Sequence, residues 1–398
     1  MDFAFGPEDE ALRKEARSWL AARLPAAGSA PEGPVAPVTP VDLRAWEREL
    51  GSGGWIGLGW DTAHGTYGNR SAGLAGQLVW AEEYARAGAP AARLGHTGEH
   101  LLAPTLLAHG DAAQRSRFLP PIARGEELWC QGYSEPGAGS DLAAVRTTAV
   151  RSGRTGTYRI SGQKTWTSHA HEAHWCFLLA RTTPGSRRHH GLSFLLVPLD
   201  QPGRVDIRPI RQLTGAADFC DVFLDGAEAR AEHLVGAEGD GWRVAVDLLG
   251  RERGAATLTR QIGYAAELAR VIRLAVDSGA AEDPVLRDRL VRQWAELWTM
   301  RRHTLRTLGT DGGPGAAGVT KLLWARWHRA LGELAMQVQG PAAALGPGAW
   351  HTDRPYELDA LQRLFLFSRA DTIHSGTDEI QRTVIAERVL GLPKEPRP

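Results

Sequence analysis

Between residues 144 and 224 the apolar residues recur with a period near two, and on both sides of that stretch the period is near 3.6. A strand buries alternate side chains and a helix buries one stripe, so this switch divides the chain into three regimes. The middle one holds seven short β-type runs, at 144–150, 156–161, 165–168, 175–180, 192–197, 205–210 and 218–224, with turns at Ser152-Gly153 and Ser161-Gly162-Gln163. No helical pattern separates them, which predicts an antiparallel sandwich or barrel of about a hundred residues. The expected fold class is α+β, with an N-terminal helical domain at 1–128, a middle β domain at 129–235 and a C-terminal four-helix bundle at 236–398.

The first regime predicts helices over 7–24, 41–50, 74–86, 100–109 and 112–118, the last capped by Asp111 and stopped by Leu119-Pro120-Pro121. The third predicts one long helix from 241 to about 277. A second starts at Pro284 behind Asp283 and stops at Gly309, and a third runs over 319–338. A fourth runs from about 358 to a break at His374-Ser375-Gly376, where Thr377 caps a last helix ending near Gly391. Gly313-Pro-Gly315-Ala-Ala-Gly318 matches GxGxxG but follows a helix, so it reads as a helix-to-helix loop and not a dinucleotide turn.

Charge removes several function classes. Lys+Arg and Asp+Glu both total 46, a formal net charge of +0, which leaves no electrostatic footprint for nucleic acid or an anionic membrane. No run approaches the 18 or so apolar residues that span a bilayer. The N-terminus lacks a basic and then apolar leader pattern, so a cytoplasmic protein is expected. Cys130, Cys176 and Cys220 lie far apart, which points to neither disulfides nor a zinc ribbon. His169, His171 and His174, with His189 and His190, match no common metal spacing, so no metal is expected. The 14 tryptophans are read as packing residues.

One stretch, 129–168, combines a Gly/Pro-rich loop (Ser134-Glu-Pro-Gly-Ala-Gly-Ser-Asp141) with Lys164-Thr-Trp-Thr-Ser168. Glycines let backbone amides come close to a ligand, and a Trp face suits a flat, hydrogen-bonding cofactor. From the residues alone, an ordinary turn between strands stands beside that reading.

CQGYSEPGAGSDLA, SGQKTWTSHAHEAHWCFLLART and FLFSRADTIHSGTDEIQRTVIAERVLGLP together resemble the acyl-CoA dehydrogenase family, especially its large bacterial branch. LLAPTLLAHG, RFLPPIARGEELW, GWRVAVDLLGRERG and KLLWARWHRALGELAMQVQGPA resemble further family segments in the right order, so the similarity covers essentially the whole chain. The resemblance implies FAD-dependent α,β-dehydrogenation of an acyl-CoA or acyl-carrier-protein thioester. It also implies a homodimer or homotetramer that passes electrons to an electron-transfer flavoprotein. By similarity Gln131, Tyr133 and Ser134 lie along the flavin edge, Trp166 flanks the ring and Ser168 bonds near N5. Gln337 and Gly340 match the turn that contacts the adenosine-diphosphate half, and Thr377 and Glu379 match the C-terminal contacts. Ser140 matches a hydroxyl at the pantetheine or phosphate end of the thioester, and the Ser375 amide matches the donor to its carbonyl.

The sequence departs from the family twice. The Arg-x-x-Phe-Gly that follows the first bundle helix in many members is missing, the region reading Asp277-Ser-Gly-Ala-Ala-Glu282-Asp-Pro. The Glu that many members place before Gly-Thr in the C-terminal loop is replaced by Ser375, which has no useful basicity near neutral pH. In the branch typified by isovaleryl-CoA dehydrogenase the base is a Glu followed by Arg on the first bundle helix, and Glu252-Arg253 matches it. Glu252 is therefore the expected base and Arg253 a substrate-site residue, although Glu252 could simply pair with a neighbouring arginine. Two other readings stay open: a flavin oxidase or monooxygenase of the same fold, and a silent subunit completing a hetero-oligomer.

Overall fold

Helix α1 (Pro7–Ala21) begins with Pro7 at its first position and Glu8, Asp9 and Glu10 in its first turn, charges that favour a helix N-terminus. The computed structural model describes residues 5–24, 40–90, 92–153, 155–251, 256–308, 313–346 and 357–394. Helices α2 (Pro40–Ser52) and α3 (Leu74–Arg86) pack with α1 around Trp46, Trp55, Trp19 and Trp80, and Trp55 stacks on Trp80 at 4.1 Å. The tryptophans here are core. Arg93 donates to Glu47 at 2.6 Å and to Glu99 at 2.7 Å, tying α2 to a π turn at Gly98–Leu102.

That turn leads into α4 (Ala103–His109) and then α5 (Ala112–Ala123), which opens on a reciprocal cap between Asp111 and Gln114. The expected stop at Leu119-Pro120-Pro121 is corrected: both prolines lie inside the helix. They sit in its last turn, where their carbonyls still accept, from Arg124 N at 3.0 Å and Glu126 N at 2.9 Å. A proline removes only its own donor, so the end of a helix tolerates it.

The middle of the chain forms one eight-stranded sheet from β1 (Trp129–Gly132), β2 (Thr148–Arg151), β3 (Thr157–Ser168), β4 (Trp175–Arg181), β5 (Leu192–Pro198), β6 (Val205–Ile210), β7 (Phe219–Arg230) and β8 (Leu234–Val235). The order is β6-β7-β3-β2-β4-β5-β8, with β1 beside β4. The expectation of purely antiparallel pairing needs one amendment. β1 runs parallel to β4, Trp129 opposite Trp175 through Gly132 opposite Leu178, and β2 touches β4 in parallel at Thr148 and Arg181. Parallel pairing needs a long excursion between the strands, and residues 133–174 supply it. The runs 156–161 and 165–168 are a single strand, β3, because Ser161-Gly162-Gln163 forms a bulge and not a turn.

β4 explains the near-continuous apolar runs. Phe177 and Leu179 face a core shared with α4, α5 and α6 (Gly241–Arg251), whereas Cys176, Leu178 and Ala180 face a second core with β3, β5 and β7. A strand buried on both faces has no polar side to show.

Past α6 the described chain resumes in α7 (Ala256–Asp277), so the expected single helix over 241–277 is seen as two spans flanking 252–255. α8 (Pro284–Leu308) starts as expected, with Asp283 Oδ1 accepting from Val285 N at 2.8 Å; the Gly309 stop lies outside the described residues. α9 (Gly313–Gln339) overturns the loop reading of Gly313-Pro-Gly315-Ala-Ala-Gly318, which forms its first turns. A Cβ on Gly315 would lie 2.8 Å from Val389, and one on Gly318 3.3 Å from Ile385, so these glycines let the C-terminal segment lie against the helix. α10 (Ala360–Phe367) and α11 (Asp378–Val384) together occupy the fourth place of the bundle. They are separated by the loop 371–377.

Candidate functional site

The loop after β1 is held by a buried ion pair. Lys164, fully buried on β3, donates to Glu135 Oε1 at 2.8 Å, to Leu179 O at 2.8 Å and to Tyr133 O at 3.3 Å. Glu135 also accepts from Arg146 N at 2.6 Å and Thr147 N at 2.9 Å. Burial alone would push the Glu135 carboxyl up; Lys164 and the two residues at 146 and 147 outweigh it and hold it below its ordinary value. Ser134 O accepts from Thr165 N at 2.9 Å, so Tyr133 and Ser134 stand beside the 164–168 stretch. Gln131, half-buried on β1, is two residues away.

A register shift between Lys164 and Thr167 turns Trp166 outward. Its φ is +57°, in the left-handed region that non-glycine residues rarely visit, and the residue is 60% exposed. Its ring meets Phe219 edge-on, at 6.2 Å, and much of the indole stands open to solvent, two residues before Ser168 and one after Thr165, which bonds the Ser134 carbonyl. A rigid aromatic face bordered by donors fits a planar, hydrogen-bonding ring such as isoalloxazine. Ser140 is exposed on the same loop. The structure thus brings Gln131, Tyr133, Ser134, Trp166 and Ser168 together.

The second group lies in the bundle. Thr377 caps α11, its hydroxyl accepting from Ile380 N at 3.2 Å. Glu379 is exposed, and backbone and Thr377 bonds hold its carboxyl below the ordinary value. Both line an open cleft of about 610 Å3 with Arg326, Arg329 and Arg382. Ser375 sits at φ +55° with its carbonyl accepting from Gln381 Nε2 at 3.4 Å. Gln337, exposed, takes a bond from Arg289, and Gly340 has φ +59° just past the end of α9. Among the described residues no hydrogen bond or close contact joins Gln337 or Gly340 to the other site residues. Glu252 and Arg253 lie outside the described residues.

Sequence reasoning missed the supports. Lys164 and Glu135 lay inside the recognised motifs, and a Lys in a stretch otherwise suited to a buried strand was the available signal. It also missed a charged chain beneath the loop 371–377. His328 on α9 bonds Glu267 on α7 at 2.9 Å through Nε2 and Asp371 at 2.5 Å through Nδ1. Asp371 continues to His374 at 3.2 Å, and His374 to the Ser375 hydroxyl at 3.2 Å. Lys321 donates to the Asp371 carbonyl.

Among the described residues no group of three His, Cys, Asp or Glu side chains is placed to hold a metal ion. His171 instead meets Cys220 Sγ at 3.1 Å, and His174 Nδ1 accepts from Leu128 N at 3.0 Å. Nor is any described helix long and apolar enough to cross a membrane.

Three family models match the chain end to end: "Acyl-CoA dehydrogenase, N-terminal domain" over residues 6–126, "middle domain" over 130–227 and "C-terminal domain" over 239–390. The chain belongs to the acyl-CoA dehydrogenase family. Like the family, it is an FAD-dependent oxidoreductase acting on acyl-CoA. It is 51% identical to acyl-CoA dehydrogenase IpdE1 of Mycolicibacterium smegmatis, over 98% of this chain and 99% of that one. It is 52% identical to IpdE1 of Mycobacterium tuberculosis, over 97% and 98%. Among solved structures it resembles the Tcur3481-Tcur3483 steroid ACAD (TM-score 0.83, 28% identity, 99% of this chain and 100% of that one). It also resembles the ChsE4-ChsE5 complex from Mycobacterium tuberculosis (TM-score 0.80, 29% identity, 99% and 100%).

Proposed function

We propose that this acyl-CoA dehydrogenase converts its thioester to the 2-enoyl thioester, with Glu252 removing the α-proton. The observation that carries the reading is the exposed, left-handed Trp166 fixed beside Ser134 and Ser168, a platform for the cofactor's ring. Bound FAD supplies the hydride acceptor. Gln131, Tyr133, Ser134 and Ser168 offer it hydrogen bonds, and Gln337, Gly340, Thr377 and Glu379 hold its adenosine-diphosphate half, the first two across a subunit boundary. Ser140 contacts the pantetheine or phosphate end of a CoA or carrier-protein thioester. The Ser375 amide polarises the thioester carbonyl and so acidifies the α-carbon. A carboxylate at Glu252 that entered a water-poor flavin site would be suited to accept that proton, because desolvation raises a carboxyl toward neutral pH. The protein works in the cytoplasm as a homodimer or homotetramer and delivers electrons to an electron-transfer flavoprotein.

Anaerobic titration of the purified yellow protein with a panel of acyl thioesters tests this directly. Bleaching by a thioester is expected, with slow return of the flavin band in air. Fast return in air points to an oxidase, and no bleaching by any thioester removes the dehydrogenase reading.

A second reading is favoured by two observations. The loop carboxylate and the Arg-x-x-Phe-Gly are both missing, and two of the similar structures carry two-protein titles. On that reading a different chain completes the site. Full FAD content and turnover of this chain purified alone would exclude it.

A further inference from the structure

The histidine at 328 is placed as a cation by its neighbours alone. Both ring nitrogens face carboxylate oxygens, Nε2 toward Glu267 at 2.9 Å and Nδ1 toward Asp371 at 2.5 Å. Carboxylates only accept, so both nitrogens can be satisfied only if both carry protons. The ring lies under Tyr264, stacked at 4.3 Å, and is almost completely enclosed. Burial alone would push the imidazole down; the bonds to Asp371 and Glu267 outweigh it and lift it to about 9.

What this cation joins matters. Glu267 lies on α7, the helix that follows position 252 in the chain, and Asp371 opens the loop that carries Ser375. From Asp371 the contacts continue toward Ser375. Its Oδ1 accepts from His374 Nε2, and His374 Nδ1 lies 3.2 Å from the Ser375 hydroxyl. Ser375 holds a φ of +55°, and a strained backbone of that kind persists only where its surroundings over-determine it. The bonds from His328, Lys321 and His374 to Asp371 supply that constraint.

We infer that His328 is a positioning residue of the reaction: by bridging Glu267 and Asp371 it fixes the spacing between α7 and the loop that presents the Ser375 amide. This rests on the reading that Ser375 N–H meets the thioester carbonyl. The titratable or charged groups around His328 are Tyr264, Glu267 and Arg260 on α7, Lys321 on α9, and Asp371 and His374 in the loop. Of these, Asp371 and Glu267 lift its pKa.

The test uses the FAD-loaded full chain and the variant His328→Gln, which keeps the size but removes the charge. Flavin reduction by the best thioester is expected to slow about 10- to 100-fold, the scale of a misplaced reacting group, with KM and FAD content little changed. Wild-type reduction should fall as pH rises through about 9. That limb should vanish in His328→Gln and move down by about one pH unit in Glu267→Gln, which removes one of two opposite charges. Hydrogen exchange of 368–381 should quicken in His328→Gln. Wild-type rate and pH limb in that variant, or unchanged exchange in the loop, would overturn the assignment. If His328→Gln does not fold, an unmoved limb in Glu267→Gln does the same. If no thioester reduces the wild-type flavin, the dehydrogenase reading fails while the exchange comparison still decides whether His328 clamps the loop.

Discussion

Lys164 Nζ lies 2.8 Å from Glu135 Oε1, and neither residue has appreciable solvent around it. The pair stands between β3 and the loop after β1, so the same bond that neutralises the lysine sets where Tyr133, Ser134 and Trp166 sit.

Removing one partner strands the other charge. Lys164→Met is expected to destabilise the protein by about 3–5 kcal/mol, read as a fall in urea midpoint, and to release FAD. Replacing both, as in Lys164→Met with Glu135→Leu, should recover much of the stability and not the FAD. Equal losses in single and double variants would show that the pair is not coupled.

Trp166→Ala separates cofactor binding from folding. The side chain is 60% exposed and packs mainly on Phe219, so the unfolding midpoint should barely move. An aromatic contact is worth about 0.5–1.5 kcal/mol beyond its area, which predicts FAD affinity lower by about tenfold. Fluorescence titration of the apoprotein with FAD measures it.

Proton removal and carbonyl polarisation can be tested apart. Glu252→Gln should keep FAD and lose dehydrogenation by about 100-fold or more, the scale of a general base. Ser375→Gly keeps the backbone amide and suits a φ of +55°, so it should retain most of the rate. A severe loss in Ser375→Gly with Glu252→Gln near normal would move the proton-accepting role to the loop.

The His328 charge also predicts how stability varies with pH. Its folded value is about 9 against an ordinary 6.5, so the folded protein holds this proton more tightly than the unfolded chain. The contribution is therefore complete below pH 6.5 and is lost as pH rises through about 9. The urea-midpoint gap between wild type and His328→Gln should be wide at pH 6 and narrow by about pH 10. A gap independent of pH would mean that the ring holds its proton no more tightly in the folded than in the unfolded chain.

The architecture was legible because period is a local property: 144–224 reads as strands, and its flanks as helices, from neighbours two to four residues apart. Caps were legible for the same reason, as with Asp111 and Thr377. What stayed hidden depends on distant partners. Pro120 and Pro121 are harmless only because the helix ends around them, and the reason for a glycine inside a helix at 315 is distant Val389, which lies where its Cβ would be. His328 meets Asp371 and Glu267 across 43 and 61 residues, which no short pattern records. The flavin-side residues were named through family motifs, and residue chemistry alone left that loop ambiguous.

The parallel pairing of β1 with β4 has a consequence for how the molecule forms. Trp129 cannot meet Trp175 until the intervening 133–174 segment has closed on itself, and closing a long loop is entropically slow. The β2–β3 hairpin and the β4–β5 pair involve far shorter separations and can form first. By the same measure Gln131 and the loop behind it are expected to join after these local pairs, and so is the β3–β7 pairing, whose partners lie farther apart still, Ser168 with Phe219 and Thr157 with Arg230.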